Sequence, residues 1–506
     1  MNCKNGNKTC WNCPAAVFKG NVDFRACGQS KEDIKSKQGD KGQIMIECSR
    51  RPELGYFEPN LTFEQCNQWE ESEYGYKLKD MRVMILGMDG YLGWSLALKL
   101  ARLGYKVSGF DNYWRRRCVA EKNSHSITPI LPMQERLQAA KEVFDVDIAF
   151  AEIDIRERDK LKNFLKEHKP EVIIHYAECP SAPYSMVNAE HAINVQDNNV
   201  LGTLGLLFLI KELVPESTLI KLGTMGEYGA PLTGRPIFEG LFPADATIEW
   251  KGQTWSLGGE MTPRDPVSFY HVSKVQDTFN VYEACKYWWL RSYDIMQGVI
   301  YGVHTNEISK DKRLLTRFDA DEWFGTVINR FVAQAILGIP LTIYGSGEQI
   351  RGFIALEDAM QCMVRLINSP PEPGQYDVVN QVSGLYKVRE LADTVAKVGK
   401  EFGYTVRIQR IENPRVEADN HPLEVVSTKL PNTFGFKTQT TLEQEVRHMF
   451  EILTQPESLE RLEAMKHAII PETRWDGTKK KSETLELYNN TVNTKTSRFE
   501  PKLHET

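Results

Sequence analysis

Between residues 82 and 302, short apolar runs alternate with amphipathic stretches. RVMILG from Arg82, YKVSGF from Tyr105, DIAFAEIDI from Asp147, EVIIHYA from Glu171, TLIKLGT from Thr218 and YDIMQGVIYG from Tyr293 are the apolar runs. Near-continuous apolar runs of strand length fit strands buried on both faces, as in a parallel sheet. The segments between them are long enough for crossover helices, so the pattern predicts an α/β fold with a doubly wound parallel sheet of the Rossmann type.

Beyond Val303 the rhythm lengthens. DEWFGTVINRFVAQAILG from Asp321, ALEDAMQCMVRLIN from Ala355 and VRELADTVAKVGKEFG from Val388 read as helices, with short strands such as LTIYG and YDVVNQ between them. This predicts a smaller α/β substrate lobe. Residues 1–80 show no sustained helical or strand period, and residues 471–506 form a polar tail with little expectation of order. The expected division is therefore 1–80, 81–302, 303–470 and 471–506, with no internal repeat.

At 506 residues, 41% hydrophobic and 26% charged, the chain has the composition of a globular protein of two or three domains. The net charge of -6 comes from mixed charges spread along the chain, which argues against nucleic acid as a partner. No run reaches the roughly 18 apolar residues of a membrane span, and the opening MNCKNGNKTC lacks a secretory apolar core. The expectation is a cytoplasmic protein without membrane insertion.

Chemistry first shows at Gly87, Gly90 and Gly93, which follow the first strand and open the stretch LGWSLALKLARLG. Such a triplet allows a tight turn, close approach of a pyrophosphate, and close helix–strand packing. Asp111 ends the second strand, where a carboxylate accepts from the adenosine ribose and repels a 2'-phosphate, so NAD is the expected cofactor. Arg115, Arg116 and Arg117 follow closely and keep NADP as a second reading. Asp154 and Ile155 end the third strand, at the adenine position. Asp89, Tyr91, Leu92, Asn112, Tyr176, Ala177, Asn199, Gln297 and Val299 complete the candidate cofactor contacts.

Tyr270 and Lys274 stand four residues apart, on one helical face. A nearby ammonium lowers a phenol's pKa and suits it to take a hydroxyl proton while the nicotinamide takes hydride. Thr224, in Gly223–Gly229 at a strand end, completes a Thr, Tyr, Lys set, in the order found in extended short-chain dehydrogenases. Asn199 to Thr203 and Arg351 to Ile354 carry the same resemblance.

SAPYSM from Ser181, GTMGEYG from Gly223, SFYHVSK from Ser268, QGVIYGVHT from Gln297, YGSGEQIRGF from Tyr344 and NPRVEA from Asn413 resemble the UDP-sulfoquinovose synthases. The likeness runs from about Arg82 to Met449. It implies a redox-neutral cycle on UDP-glucose: oxidation at carbon 4 with NAD, loss of water across carbons 5 and 6, addition of sulfite, and reduction at carbon 4. It also implies Thr224, Met225, Gly226, Gln297, Tyr301, Thr326, Arg351, Arg415 and Glu417 as sugar-nucleotide contacts, sulfolipid biosynthesis as the pathway, and a homodimer formed through paired helices.

The family's 4,6-dehydratase relatives follow the Thr with Asp-Glu; here Met225 and Gly226 follow, leaving His271 and Glu227 as candidate acid–base groups. Pro180 stands where the plant-type synthases carry an Arg, so an anion clamp is expected from Arg264, Arg317, Arg351 or Arg415. A plain NDP-sugar 4-epimerase or 4,6-dehydratase, the same chemistry with another nucleophile or sugar, and a non-catalytic NAD-binding regulator remain as alternatives. Six of ten cysteines lie within the first 66 residues; Cys10, Cys13, Cys27 and Cys48 are candidate ligands for zinc or an iron–sulfur cluster, against unbound thiols.

Overall fold

The computed structural model describes residues 80–229, 235–413, 423–469 and Trp475, with four short N-terminal strands. The chain divides into two compact units, residues 1–80 with 103–105 and the remainder. In the first, β3 (Ile44–Cys48) pairs antiparallel with β1 (Ala16–Phe18), β2 (Ser36–Gln38) and β4 (Tyr56–Phe57). Strands of two to five residues are too short to leave a readable period. Cys10, Cys13 and Cys27 lie outside the described residues, as does the side chain of Cys48.

The second unit is built on a seven-stranded parallel sheet. Its strands are β5 (Arg82–Leu86), β6 (Lys106–Asp111), β7 (Ile148–Glu152), β8 (Val172–His175), β9 (Thr218–Thr224), β12 (Arg291–Gln297) and β16 (Tyr376–Gln381). They lie in the order β7-β6-β5-β8-β9-β12-β16, all neighbours parallel. This is the doubly wound Rossmann arrangement. The order reverses between β5 and β8, and ligands bind at the carboxyl ends of strands at such a switch point. Four of the five residues of β5, Val83 to Leu86, are fully buried, as the apolar run requires.

YDVVNQ, read from sequence as a strand of the smaller lobe, is β16 and pairs with β12 at the edge of the main sheet. Strand-length apolar runs look alike whichever sheet they join. The helix expected from Asp321 starts at Val327, because the Asp321 carboxylate accepts from the amides of Trp323 and Phe324 and holds a turn there. The smaller lobe packs helices Val327–Ile336, Val388–Glu401 and Leu442–Leu453 around Phe331, Phe353, Val395 and Phe450. Its strands include β13 (Val299–Tyr301), β14 (Leu341–Tyr344), β15 (Ile350–Ala355), β17 (Gly384–Lys387) and β18 (Ile408–Ile411). β10 (Thr247–Trp250) and β11 (Gln253–Ser256) form a separate exposed hairpin. Among the described residues no helix is long and apolar enough to cross a membrane.

Candidate active site

The glycine turn shows why each glycine is needed. Gly87 has φ +85°, and a Cβ there would lie 2.6 Å from the Tyr176 carbonyl oxygen at the end of β8. A Cβ on Gly93 would lie 2.1 Å from the Gly87 oxygen. The helix Tyr91–Arg102 can start only because both are bare. The Asp111 carboxylate accepts from the amides of Asp89 (2.9 Å) and Tyr113 (2.7 Å), which fixes it at the end of β6. Burial, and then the neighbouring Asp89 charge, push its pKa up to about 6.

The three basic residues after β6 are largely committed. Arg115 pairs with Asp319 at 2.8 Å and lies over the Phe324 ring, while Arg116 holds both Asp89 oxygens at 2.6 and 2.7 Å. Arg117 donates to the Asn112 carbonyl. Asp89 also accepts from Arg136, which is fully buried. Asn112 donates to Asp154 at 2.7 Å. Burial raises the Asp154 carboxyl, but the Arg156 guanidinium and amide and Asn112 outweigh it and hold it near 2.

A cavity of about 520 Å³ lies over the carboxyl ends of the strands. Gly87, Gly90, Tyr91, Leu92, Gly93, Asp111, Asn112, Arg115, Ile155, Tyr176, Ala177, Gln297 and Val299 line it. So do Thr224, Met225, Gly226, Tyr270, His271, Lys274, Thr326 and Arg351. The glycine turn and the Thr, Tyr, Lys set therefore face one space. Five polar atoms of its wall are buried without a hydrogen-bond partner among the described residues: Tyr176 Oη, Trp323 Nε1, Thr326 Oγ1, Arg330 Nε and Gln349 Oε1. Each orphaned group costs about 1–3 kcal/mol, so their concentration here marks a surface made for a polar ligand.

Tyr270 and Lys274 ride on the helix Phe269–Trp288, capped by the Ser268 hydroxyl, which accepts from the His271 amide. The Ser268 hydroxyl also bonds His271 Nδ1 at 2.8 Å, and the other ring nitrogen lies where a Cβ on Gly226 would be, 2.2 Å away. Gly226 thus admits the imidazole to the cavity wall. Thr224 caps a short 3-10 turn, its hydroxyl accepting from the Gly226 amide at 3.1 Å. Lys274 donates to Glu178, and Asp277 faces the same carboxylate. Asp277 lies 3.8 Å from the Lys274 ammonium, and burial, then the Glu178 charge, push its carboxyl up. Burial, followed by the Glu178 charge, also raises the Tyr270 phenol.

Several predicted residues stand elsewhere. Glu227 is fully buried and does not line the cavity; its carboxylate accepts from Thr278 at 2.9 Å and sits 3.6 Å from Lys221 and 3.8 Å from Arg264. Short spacing from Thr224 suggested reach, but the turn aims it into this buried ion cluster. Tyr301 packs in the lobe core against Phe353, outside the lining. Asp89, Arg116 and Asp154 lie behind the wall in the pairs given above. Asn199 is buried in a π-helical turn, Asp197–Leu201, where its amide bonds both backbone groups of Cys179 while the adjacent Asn198 faces the cavity.

Of the three described arginines among the four expected as an anion clamp, Arg351 alone lines the cavity. Arg264 stacks on Tyr228 beside Glu227, Arg317 is paired with Asp319, and Arg415, like Glu417, lies outside the described residues. Sequence reasoning missed Glu178, Arg330 and Trp475, all of which line the wall. Glu178 had one signal, its place just beyond a buried strand. Trp475 had none within a polar tail.

A model of the NAD dependent epimerase/dehydratase family matches residues 83–380. UDP-sulfoquinovose synthase of Sulfolobus acidocaldarius is 42% identical over 395 residues, which cover 78% of this chain and 98% of that protein. The chloroplastic UDP-sulfoquinovose synthase of Spinacia oleracea is 42% identical over 349 residues, 69% of this chain and 70% of that protein. Among solved structures, UDP-glucose 4-epimerase from Bifidobacterium longum in complex with NAD+ and UDP superposes with a TM-score of 0.55 at 16% identity, covering 75% of this chain and 99% of that one. A dTDP-glucose 4,6-dehydratase from Bacillus anthracis in complex with NAD gives 0.53 at 19%, covering 76% and 99%.

Proposed function

The chain belongs to the NAD-dependent epimerase/dehydratase family and, within it, to the UDP-sulfoquinovose synthases, and from that membership we propose that it joins sulfite to UDP-glucose to make UDP-sulfoquinovose. The observation that carries the reading is the shared cavity, in which a dinucleotide turn and a Thr, Tyr, Lys set meet beside a His in place of a dehydratase Asp-Glu pair.

The bare Gly87–Gly93 cradle and the Asp111 carboxylate fit NAD. Bound there, it supplies reversible hydride acceptance at the sugar's carbon 4. Arg115 and Arg116, already held by Asp319 and Asp89, are poorly placed to serve a 2'-phosphate.

Tyr270 takes the carbon-4 hydroxyl proton and later returns it, with Lys274 beside it, and Thr224 holds the same oxygen by a hydrogen bond. A ketone at carbon 4 acidifies the carbon-5 proton. His271, whose Nε2 reaches the cavity past Gly226, takes that proton and delivers one to the departing carbon-6 hydroxyl, so water leaves and a 5,6-double bond forms. Sulfite sulfur then bonds carbon 6 while carbon 5 regains a proton. Arg351 and Arg330 are the wall's cations for the diphosphate and the sulfite.

Two copies are expected to pair through helices Gly202–Leu213 and Phe269–Trp288, which leave Phe208 and Tyr287 53% and 66% exposed. Four buried free cysteines, Cys118, Cys179, Cys285 and Cys362, fit a reducing cytoplasm. Cys10, Cys13, Cys27 and Cys48 are read as a zinc or iron–sulfur site, tested by comparing the metal content of the purified chain with that of a variant carrying Ser at these four positions.

Incubation with UDP-glucose, with and without sulfite, tests the main reading. An acidic UDP-sugar that forms only with sulfite is expected. A 4-epimer or a stable 4-keto-6-deoxy product would replace it with plain epimerase or dehydratase activity.

A further inference from the structure

Away from the cavity wall, His304, Glu445 and His448 bring one ligand atom each within 4.8 Å of one another. Glu445 and His448 project from one face of the helix Leu442–Leu453, at i and i+3, and His304 comes from the loop after β13. We propose that these three residues bind a zinc-class divalent cation.

The carboxylate is oriented for it. Glu445 is fully buried, and its Oε1 accepts from the amides of Val303 at 2.7 Å and His304 at 3.1 Å, which leaves Oε2 toward the imidazoles. The loop makes room with Gly302, whose φ is +102° and where a Cβ would lie 2.1 Å from Glu445 Oε1. No Lys or Arg among the described residues pairs with this buried carboxylate; its partner is the His448 ring. A buried carboxylate so held is a ready cation ligand, the ion taking the place of the proton between Glu445 and the His448 ring.

The spacing suits one ion. Glu445 Oε2 and His448 Nδ1 are 3.1 Å apart, close to the separation of neighbouring ligands on a tetrahedral ion with bonds of about 2.0–2.1 Å. The two imidazoles stack with centroids 4.3 Å apart, so a small ring rotation brings the third ligand in. Two imidazoles and one carboxylate favour zinc, cobalt or nickel over magnesium or calcium. Both rings are partly exposed, leaving a fourth position to water. The cation would tie this helix to Gly302, whose carbonyl accepts from the Tyr91 hydroxyl at 2.5 Å, at the start of the glycine-turn helix.

The test uses the full chain, stripped of metal by chelation and titrated with Co2+. The spectrum of the wild type minus that of His304→Gln/His448→Gln removes any contribution from the N-terminal thiols. The expected difference carries ligand-field bands, without thiolate charge transfer, that saturate at about one ion per chain. A flat difference between two folded proteins overturns the site. Should the double variant fail to fold, diethyl pyrocarbonate labelling of the wild type decides: Zn2+ protecting His304 and His448 supports the site, and equal labelling with and without Zn2+ overturns it.

Discussion

Glu178 closes on Lys274 in the floor of the cavity, so the ammonium expected to favour the Tyr270 phenolate is itself partly neutralised. Lys274 holds the Glu178 carboxyl near 2 against the opposing pull of burial, and the Glu178 charge in turn helps raise Tyr270. Removing that charge in Glu178→Gln lowers the phenol's pKa. The ascending limb of the pH–rate profile, which reports loss of the phenol proton, is expected to move down by about one pH unit. The variant also removes the nearer of the two buried carboxylates at Lys274, leaving Asp277 at 3.8 Å, so a lower unfolding midpoint is expected. A profile that stays in place would remove Glu178 from the proton chemistry.

Asp111 predicts a pH dependence of cofactor affinity. Its folded carboxyl titrates at about 6, and the ribose contact needs the charged form. NAD affinity is expected to fall as pH drops through 6, by about tenfold from pH 7 to pH 5. The sign for the ligand-free fold is opposite: a raised carboxyl pKa means that the native state takes up the proton first, so this group's contribution to stability grows as pH falls from about 6 toward the unfolded carboxylate range. Calorimetric NAD titrations across pH 5 to 8 check the first effect, and Asp111→Asn should flatten it. Asp111→Asn should gain no affinity for NADP, since Arg115 and Arg116 remain paired.

The sheet and the glycine turn were legible because each rests on a local pattern. Val83 to Leu86 are apolar because both faces of β5 are covered, and Gly87 is bare because a neighbouring strand's carbonyl occupies its Cβ position. Tyr270 and Lys274 followed from helical spacing read together with the upstream glycine turn and Thr224 at a strand end. What stayed hidden depends on contacts between distant segments. Glu178 reaches Lys274 across 96 positions, Arg330 enters the wall from the second lobe, and Glu227 turns inward to Lys221 and Arg264. Spacing from Thr224 could not show that last direction, because one residue more or less in a 3-10 turn changes the face.

Gly93→Ala tests the cradle. The added methyl would lie 2.1 Å from the Gly87 oxygen, a backbone atom that cannot rotate away, so the turn must open. Loss of NAD binding is expected, with a stability cost of about 2 kcal/mol from overpacking. Fluorescence titration with NAD and thermal unfolding read the two effects separately. Retained affinity would show that the turn yields without harm to the cofactor site.

His271, beside Tyr270, and Glu227 are the sequence's two candidates for the elimination step, with His271 the first of them, and paired variants separate them. His271→Asn keeps a side chain of hydrogen-bonding character beside Ser268 but supplies no proton at neutral pH. It should still oxidise UDP-glucose in a single turnover, seen as NADH absorbance, while the sulfite-dependent product falls by about 100-fold or more. Glu227→Gln keeps an oxygen to accept from the Thr224 amide and so should keep the turn at the cavity wall. It disturbs Lys221, Arg264 and Thr278, so it should lower the unfolding midpoint while the folded enzyme turns over at nearly the native rate. The reverse result, with full activity in His271→Asn and a stalled NADH signal in Glu227→Gln, would return the acid–base role to Glu227 and require the 3-10 turn at Met225–Glu227 to rearrange around substrate.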